Sequence, residues 1–111
     1  MALSDDRKQR YKDKLGAAIK AARIKTGYTQ KGLASELGLE YYTMVSQMEQ
    51  GHIAIPATLW IPIATALDLD RDTWVLRCLH EYQPNVYKAL FGRRSRSEVA
   101  SVLKALRLGQ M

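Results

Sequence analysis

Glycines do most to limit what this chain can fold into. Gly27, Gly38, Gly51, Gly92 and Gly109 each follow a stretch in which apolar residues recur three and four positions apart. That spacing lines apolar side chains along one face of a helix, and strand-like alternation is absent. Glycine reaches the left-handed backbone that closes a helix at no steric cost. The expected fold class is all-α, built from short helices, and 111 residues suit one domain.

The stripes fix the expected elements. Leu15, Ala18, Ile19 and Ala22 mark a first helix from Tyr11 that stops near Thr26–Gly27. Thr29 is placed as the N-cap of a second helix carrying Leu33, Ala34 and Leu37, which Gly38 ends. A third runs from about Tyr41 to Gln50, with Val45 and Met48 inward, helped by Tyr41 or Met44. HIAIP is a connector. Leu59, Ile63, Ala66 and Leu67 mark a fourth helix that either kinks at Pro62 or starts at about Trp60. Asp70 caps the next, with Trp74, Val75, Cys78, Leu79 and Tyr82 on its apolar face. After QPN comes a short helix with Val86, Tyr87, Leu90 and Phe91, then a hinge, GRRSRS. Ser95 and Glu98 have capping-box spacing before a last helix with Val99, Val102, Leu103 and Leu106. No internal repeat or low-complexity segment is evident.

Composition narrows the function classes. No run approaches the roughly 18 apolar residues of a membrane span. The segment MALSDDRKQRYKDK is charged and lacks the apolar run of a signal peptide. Cys78 is the single cysteine, so no internal disulfide forms. A cytoplasmic, nucleoid-associated location is expected. The net charge is +6. It gathers at Lys20, Arg23, Lys25 and Lys31, and again at Arg93, Arg94, Arg96, Lys104 and Arg107. Clustered positive charge suits a polyanion such as a nucleic acid or an anionic membrane face, or is simply a solvated helix surface. Cys78, His52 and His80 are the only soft ligand candidates, too few and wrongly spaced for zinc. Cys78 reads as a core hydrophobe. No nucleophile triad, paired-acid motif or phosphate loop stands out, so no catalytic residue, metal or cofactor is expected.

Two short helices joined by a tight turn pack at a steep angle and need a small residue where their axes approach. Ala34 fits that place and Gly38 fits the turn. Residues 15–69 resemble the XRE family of lambda-repressor-like helix-turn-helix regulators through LGAAIKAARIKTGYTQKGLASELGL, then VSQMEQG, then IATALDLD. The EYYTMVSQMEQG variant is similar to a subgroup of bacterial regulators. The resemblance implies a five-helix DNA-binding domain that works as a dimer on a near-palindromic site. Here it would be followed by extra C-terminal helices. The expected organisation is a charged extension of the first helix over 1–14, the DNA-binding domain over 15–69, a helical extension over 70–92 and a basic hinge with an amphipathic helix over 93–111.

The chain departs from the family pattern by one extra residue between Gly38 and Glu49. Placing it in the turn buries Val45 and Met48 and turns Tyr41, Tyr42, Thr43, Ser46 and Gln47 outward. Without it, Val45 would face DNA and Gln47 would turn inward. The favoured register makes those five residues the expected base readers. The Gln47 amide suits adenine N6 and N7, and Thr43 offers a methyl to thymine. Either tyrosine could instead pack in the core. Thr29, Gln30, Lys31, Arg23 and Lys25 are the expected phosphate contacts; the resemblance also implies Gln30 in that role. Arg7, Lys8, Arg10, Lys12 and Lys14 either extend that footprint or are solvated. Glu49 is expected to cap or salt-bridge within the domain.

Trp74, Leu79, Tyr82 and Phe91 are the candidate dimer contacts, with core packing as the alternative. A two-fold dimer would set its reading helices roughly 34 Å apart. The expected function is sequence-specific control of transcription from double-stranded DNA, by default as a homodimeric repressor. The alternatives are an activator working with RNA polymerase or an architectural partner, and an antitoxin-type protein whose residues 93–111 hold a protein partner.

Overall fold

The computed structural model describes the backbone of residues 2–109 and the side chains of residues 14–109. All regular structure among them is α-helical, in the order α1 (Ala2–Thr26), α2 (Gln30–Glu36), α3 (Thr43–Glu49), α4 (Ala57–Ala66), α5 (Arg71–Tyr82), α6 (Pro84–Phe91) and α7 (Arg96–Gly109). The chain divides into two compact units, one ending at Leu69 and one beginning at Asp70. Side chains Arg7, Lys8, Arg10 and Lys12 lie outside the described set.

In the first unit α1 and α2 both pack on α3. Leu15 and Ile19 of α1, Leu33 of α2 and Val45 of α3 are fully buried, with Ala34 and Met48 beside them in the core. Each such side chain contributes roughly 1.5–3 kcal/mol by leaving water. Gly16 lets α1 come against the end of α3. A methyl group there would run into the carbonyl oxygens of Met48 and Glu49. Thr29 caps α2 by accepting the Gly32 N–H at 2.9 Å. After α2, Gly38 takes φ +73° and Leu39 N–H returns to the Ala34 carbonyl at 2.8 Å, which turns the chain toward α3.

Two expectations about boundaries are corrected. The third helix begins at Thr43, not at Tyr41, because the turn after Gly38 runs on to Tyr42, which takes the N-cap position. The fourth begins at Ala57 and continues through Pro62, so a start at Trp60 is excluded. Pro62 is exposed, and its ring removes one N–H from the ladder without ending it. Trp60 Nε1 donates to the Ile55 carbonyl at 2.9 Å, pinning the connector to this helix.

In the second unit α6 and α7 each pack on α5 around Leu76, Tyr87, Val99 and Ala100, with Leu79, Phe91 and Leu103 at the edge. Asp70 caps α5 through the Thr73 N–H at 3.0 Å and hydroxyl at 2.6 Å. Lys104 meets Asp70 at 3.1 Å and Arg107 meets Asp72 at 2.5 Å, so α7 runs antiparallel to α5. The Tyr87 ring stands edge-on to His80 at 4.7 Å, holding the start of α6 against the end of α5. Tyr87 Oη donates to the Arg94 carbonyl at 2.8 Å, which stitches the expected hinge to α6. Ser95 Oγ accepts the Glu98 N–H at 3.2 Å, half of the expected capping box. A short repeat that helical periodicity conceals also emerges: Val86-Tyr87-Lys88-Ala89-Leu90 on α6 matches Val102-Leu103-Lys104-Ala105-Leu106 on α7.

Candidate nucleic-acid interface

The site is built on α3 because its two sides differ. Val45 is 0% and Met48 1% exposed, whereas Thr43 and Gln47 are exposed and Ser46 is half-buried. This is the favoured register, with Val45 and Met48 inward and Gln47 outward. Tyr41 and Tyr42 precede the helix and are 66% and 44% exposed, so neither packs in the core. Lys31 reaches over the Tyr42 ring, its Nζ 5.5 Å from the centroid, where the ring's negative face attracts the ammonium. An open groove of about 430 Å³ runs beside them, lined by Lys31, Ala34, Ser35, Leu39, Glu40, Tyr41 and Tyr42. Ser46 is less available than its sequence position suggests, because its hydroxyl accepts from the Gln50 amide at 3.1 Å.

Behind this face lies a polar brace. Glu49 is buried, and its carboxylate takes Arg23 Nε at 2.6 Å, Arg23 Nη2 at 3.1 Å and Gln30 Nε2 at 3.1 Å. Arg23 Nη1 also donates to the Tyr28 carbonyl at 3.0 Å. The bidentate pair has side chains only 12% and 2% exposed. The hydrogen bond from Glu49, reinforced by its charge, pushes the guanidinium pKa above its ordinary value despite partial desolvation. The guanidinium therefore stays charged, and the pair ties the end of α1, the start of α2 and the end of α3 together.

Two of the expected phosphate contacts are partly engaged inside the unit. Arg23 is half-buried and gives three of its five N–H donors to Glu49 and Tyr28, so it has less to offer a phosphate than its sequence position suggests. Gln30 gives one amide proton to the same brace and is half-buried, so it can offer only what remains. Lys25, Lys31 and Thr29 are exposed, though the Thr29 hydroxyl oxygen already accepts the capping bond. Of the expected dimer contacts only Trp74 is buried, and the other three are half-buried. Trp74 is 4% exposed, and Leu79 and Phe91 pack against their own unit's core, with Tyr82 half-buried. In that region the exposed aliphatic side chains are Val86, Leu90, Val102, Leu106 and Leu108.

Sequence reasoning missed Gly16, whose role depends on a neighbour more than thirty residues away. It also missed the Ser46–Gln50 bond, for which the i,i+4 spacing was a usable signal. Cys78 is fully buried, and desolvation pushes its thiol up to about 12, so it is neutral and unreactive. Among the described residues no group of three or more His, Cys, Asp or Glu is placed to hold a metal ion. No helix among them is long and apolar enough to cross a membrane. No protein-family model matches the chain, and no curated protein or solved structure matches it either.

Proposed function

We propose that this chain is a sequence-specific double-stranded DNA-binding regulator of transcription, built on a lambda-repressor-like helix-turn-helix and acting as a homodimer. One observation carries the reading: α3 exposes Thr43 and Gln47 while Val45 and Met48 anchor it from behind. A helix held by its apolar side with a hydrogen-bonding side free is shaped for the major groove, which is about 12 Å wide and distinguishes all four base pairs. In this reading Gln47 pairs with an adenine, Thr43 meets a thymine methyl or a phosphate, and Tyr41 and Tyr42 lie along the backbone or against thymine methyls. Lys25 and Lys31 neutralise phosphates. The Arg23–Glu49–Gln30 brace keeps the helix at a fixed tilt, which lets a few contacts select one register. Occupation of a promoter then represses it.

Selection of bound duplexes from a random-sequence pool tests the reading. The expected product is one motif arranged as an inverted repeat, with half-site centres about one helical turn or a multiple of it apart. Binding to it should weaken steeply with added salt. Recovery of unenriched sequence, with specific and random duplexes bound alike, would overturn it.

A further inference from the structure

Lys31 is held differently from the other anchored cations of the chain. Arg23, Lys104 and Arg107 each meet a carboxylate. The Lys31 ammonium meets no carboxylate among the described residues and lies over the Tyr42 ring, 5.5 Å from its centroid. Glu40 lines the same groove without forming an ion pair with it. The two kinds of anchor leave different charges behind. A carboxylate holds a cation by cancelling its charge. A ring face attracts the ammonium through its quadrupole, and leaves the full positive charge and the N–H donors that point away from the ring. The four-carbon stem of a lysine is otherwise free to swing, and fixing it on binding costs entropy.

Tyr42 is placed to act as such an anchor. It occupies the N-cap position of α3, yet its side chain makes no capping hydrogen bond, so the ring is spared for another task. Its carbonyl accepts the Ser46 N–H at 3.1 Å, which ties its backbone to the first turn of α3. Lys31 is the second residue of α2, whose start Thr29 caps. The ring therefore couples a cation on α2 to the helix that carries Thr43 and Gln47.

We propose that Tyr42 is a positioning residue, whose ring holds the Lys31 ammonium, still fully charged, where a backbone phosphate of the bound duplex meets it. The inference rests on the DNA reading above and deepens it. Phosphate contacts set the register in which base contacts are made. A cation already tied to α3 delivers its phosphate contact in one place relative to Gln47. The phenol hydroxyl has no part in this, because the ring face alone makes the contact.

Two measurements on the full chain test it. In the chain free of DNA, the outer methylene protons of Lys31 are expected upfield of their ordinary NMR positions, because a ring current shields what lies over its face. They should return to those positions in Tyr42→Leu. Binding is then measured on the selected duplex and on a random one. Tyr42→Leu is expected to weaken both about two- to fivefold, since a phosphate contact carries no sequence information. Tyr42→Phe, which keeps the ring, should bind like wild type. The Tyr42→Leu loss should vanish in a Lys31→Ala background, as a double-mutant cycle on a coupled pair requires. Lys31→Ala should lower the salt slope by about one, whereas Tyr42→Leu leaves it unchanged because the charge is still delivered. Ordinary Lys31 shifts, a Tyr42→Leu loss that persists without Lys31, or a Tyr42→Phe loss as large as that of Tyr42→Leu would each overturn the proposal. Failure of sequence reading looks different: wild type would bind selected and random duplexes alike, while the Lys31 shift and the Tyr42–Lys31 coupling would stand. A chain that binds no duplex would overturn both.

Discussion

The two units expose opposite chemistry. The first sinks a charged strut, Arg23–Glu49, behind α3 and turns amides, hydroxyls and phenols outward. The second sets two of its ion pairs, Asp70–Lys104 and Asp72–Arg107, between the start of α5 and the later part of α7, and leaves valines and leucines in solvent. A surface that must discriminate among hydrogen-bonding patterns needs rigid support and free polar groups. Under the proposed function the first is the face that reads DNA, and it is the one braced from behind.

Breaking the strut should produce the largest effect. Glu49→Ala leaves Arg23 and Gln30 without their shared partner in a mostly buried place, and is expected to cost about 2–3 kcal/mol of stability. A urea melt of the full chain would register it. DNA binding should fall further than the stability loss alone explains, because α3 loses its fixed tilt. Gly16→Ala comes next. Alanine favours a helix over glycine by roughly 1 kcal/mol, but its methyl would overlap the carbonyls of Met48 and Glu49, and overpacking costs typically 1–3 kcal/mol. Backbone cannot swing aside like a flexible side chain, so a net loss is expected, with α1 pushed off α3. A melting temperature equal to or above wild type would show that the helices are not so closely joined.

The second unit should answer to pH instead. Hydrogen bonds from the Thr73 side chain and backbone, aided by Lys104, hold the Asp70 carboxyl down to about 2, against 3.8 ordinarily. A depressed carboxyl stabilises the fold above its ordinary value and loses that contribution as pH falls toward 2. Thermal melts from pH 5 to pH 2 should show a decline that Asp70→Ala makes slightly shallower. The side chain is solvent-exposed, so added salt should shrink its Lys104 component.

Much of this was legible in the residues. Helical periodicity, Thr29, Asp70 and Ser95 caps and Gly38 located the elements, because capping chemistry is local. The α3 register was readable because an inward Val45 and Met48 leave the polar Gln47 outside, whereas the alternative would bury it. Partnerships across distance were not legible. Arg23 reads as a free cation until its carboxylate, twenty-six residues on, folds beside it. Trp74 and Phe91 read as a contact patch because aromatics favour interfaces as much as cores, and only packing decides between them. The sequence of α7 gives one apolar stripe without saying what covers it, and Val99 is buried while Leu106 is not. Periodicity gives the face of a helix but not how far along it the neighbour extends.

The central claim is that the outward side of α3 reads base sequence, and Gln47→Ala addresses it most directly. Affinity for the selected duplex and for random duplex would be measured at one salt concentration. The account predicts a loss of about 1–3 kcal/mol on the selected duplex, little change on random DNA, and relaxed preference at a single base pair in each half-site. Equal losses on both duplexes, or none on either, would contradict it.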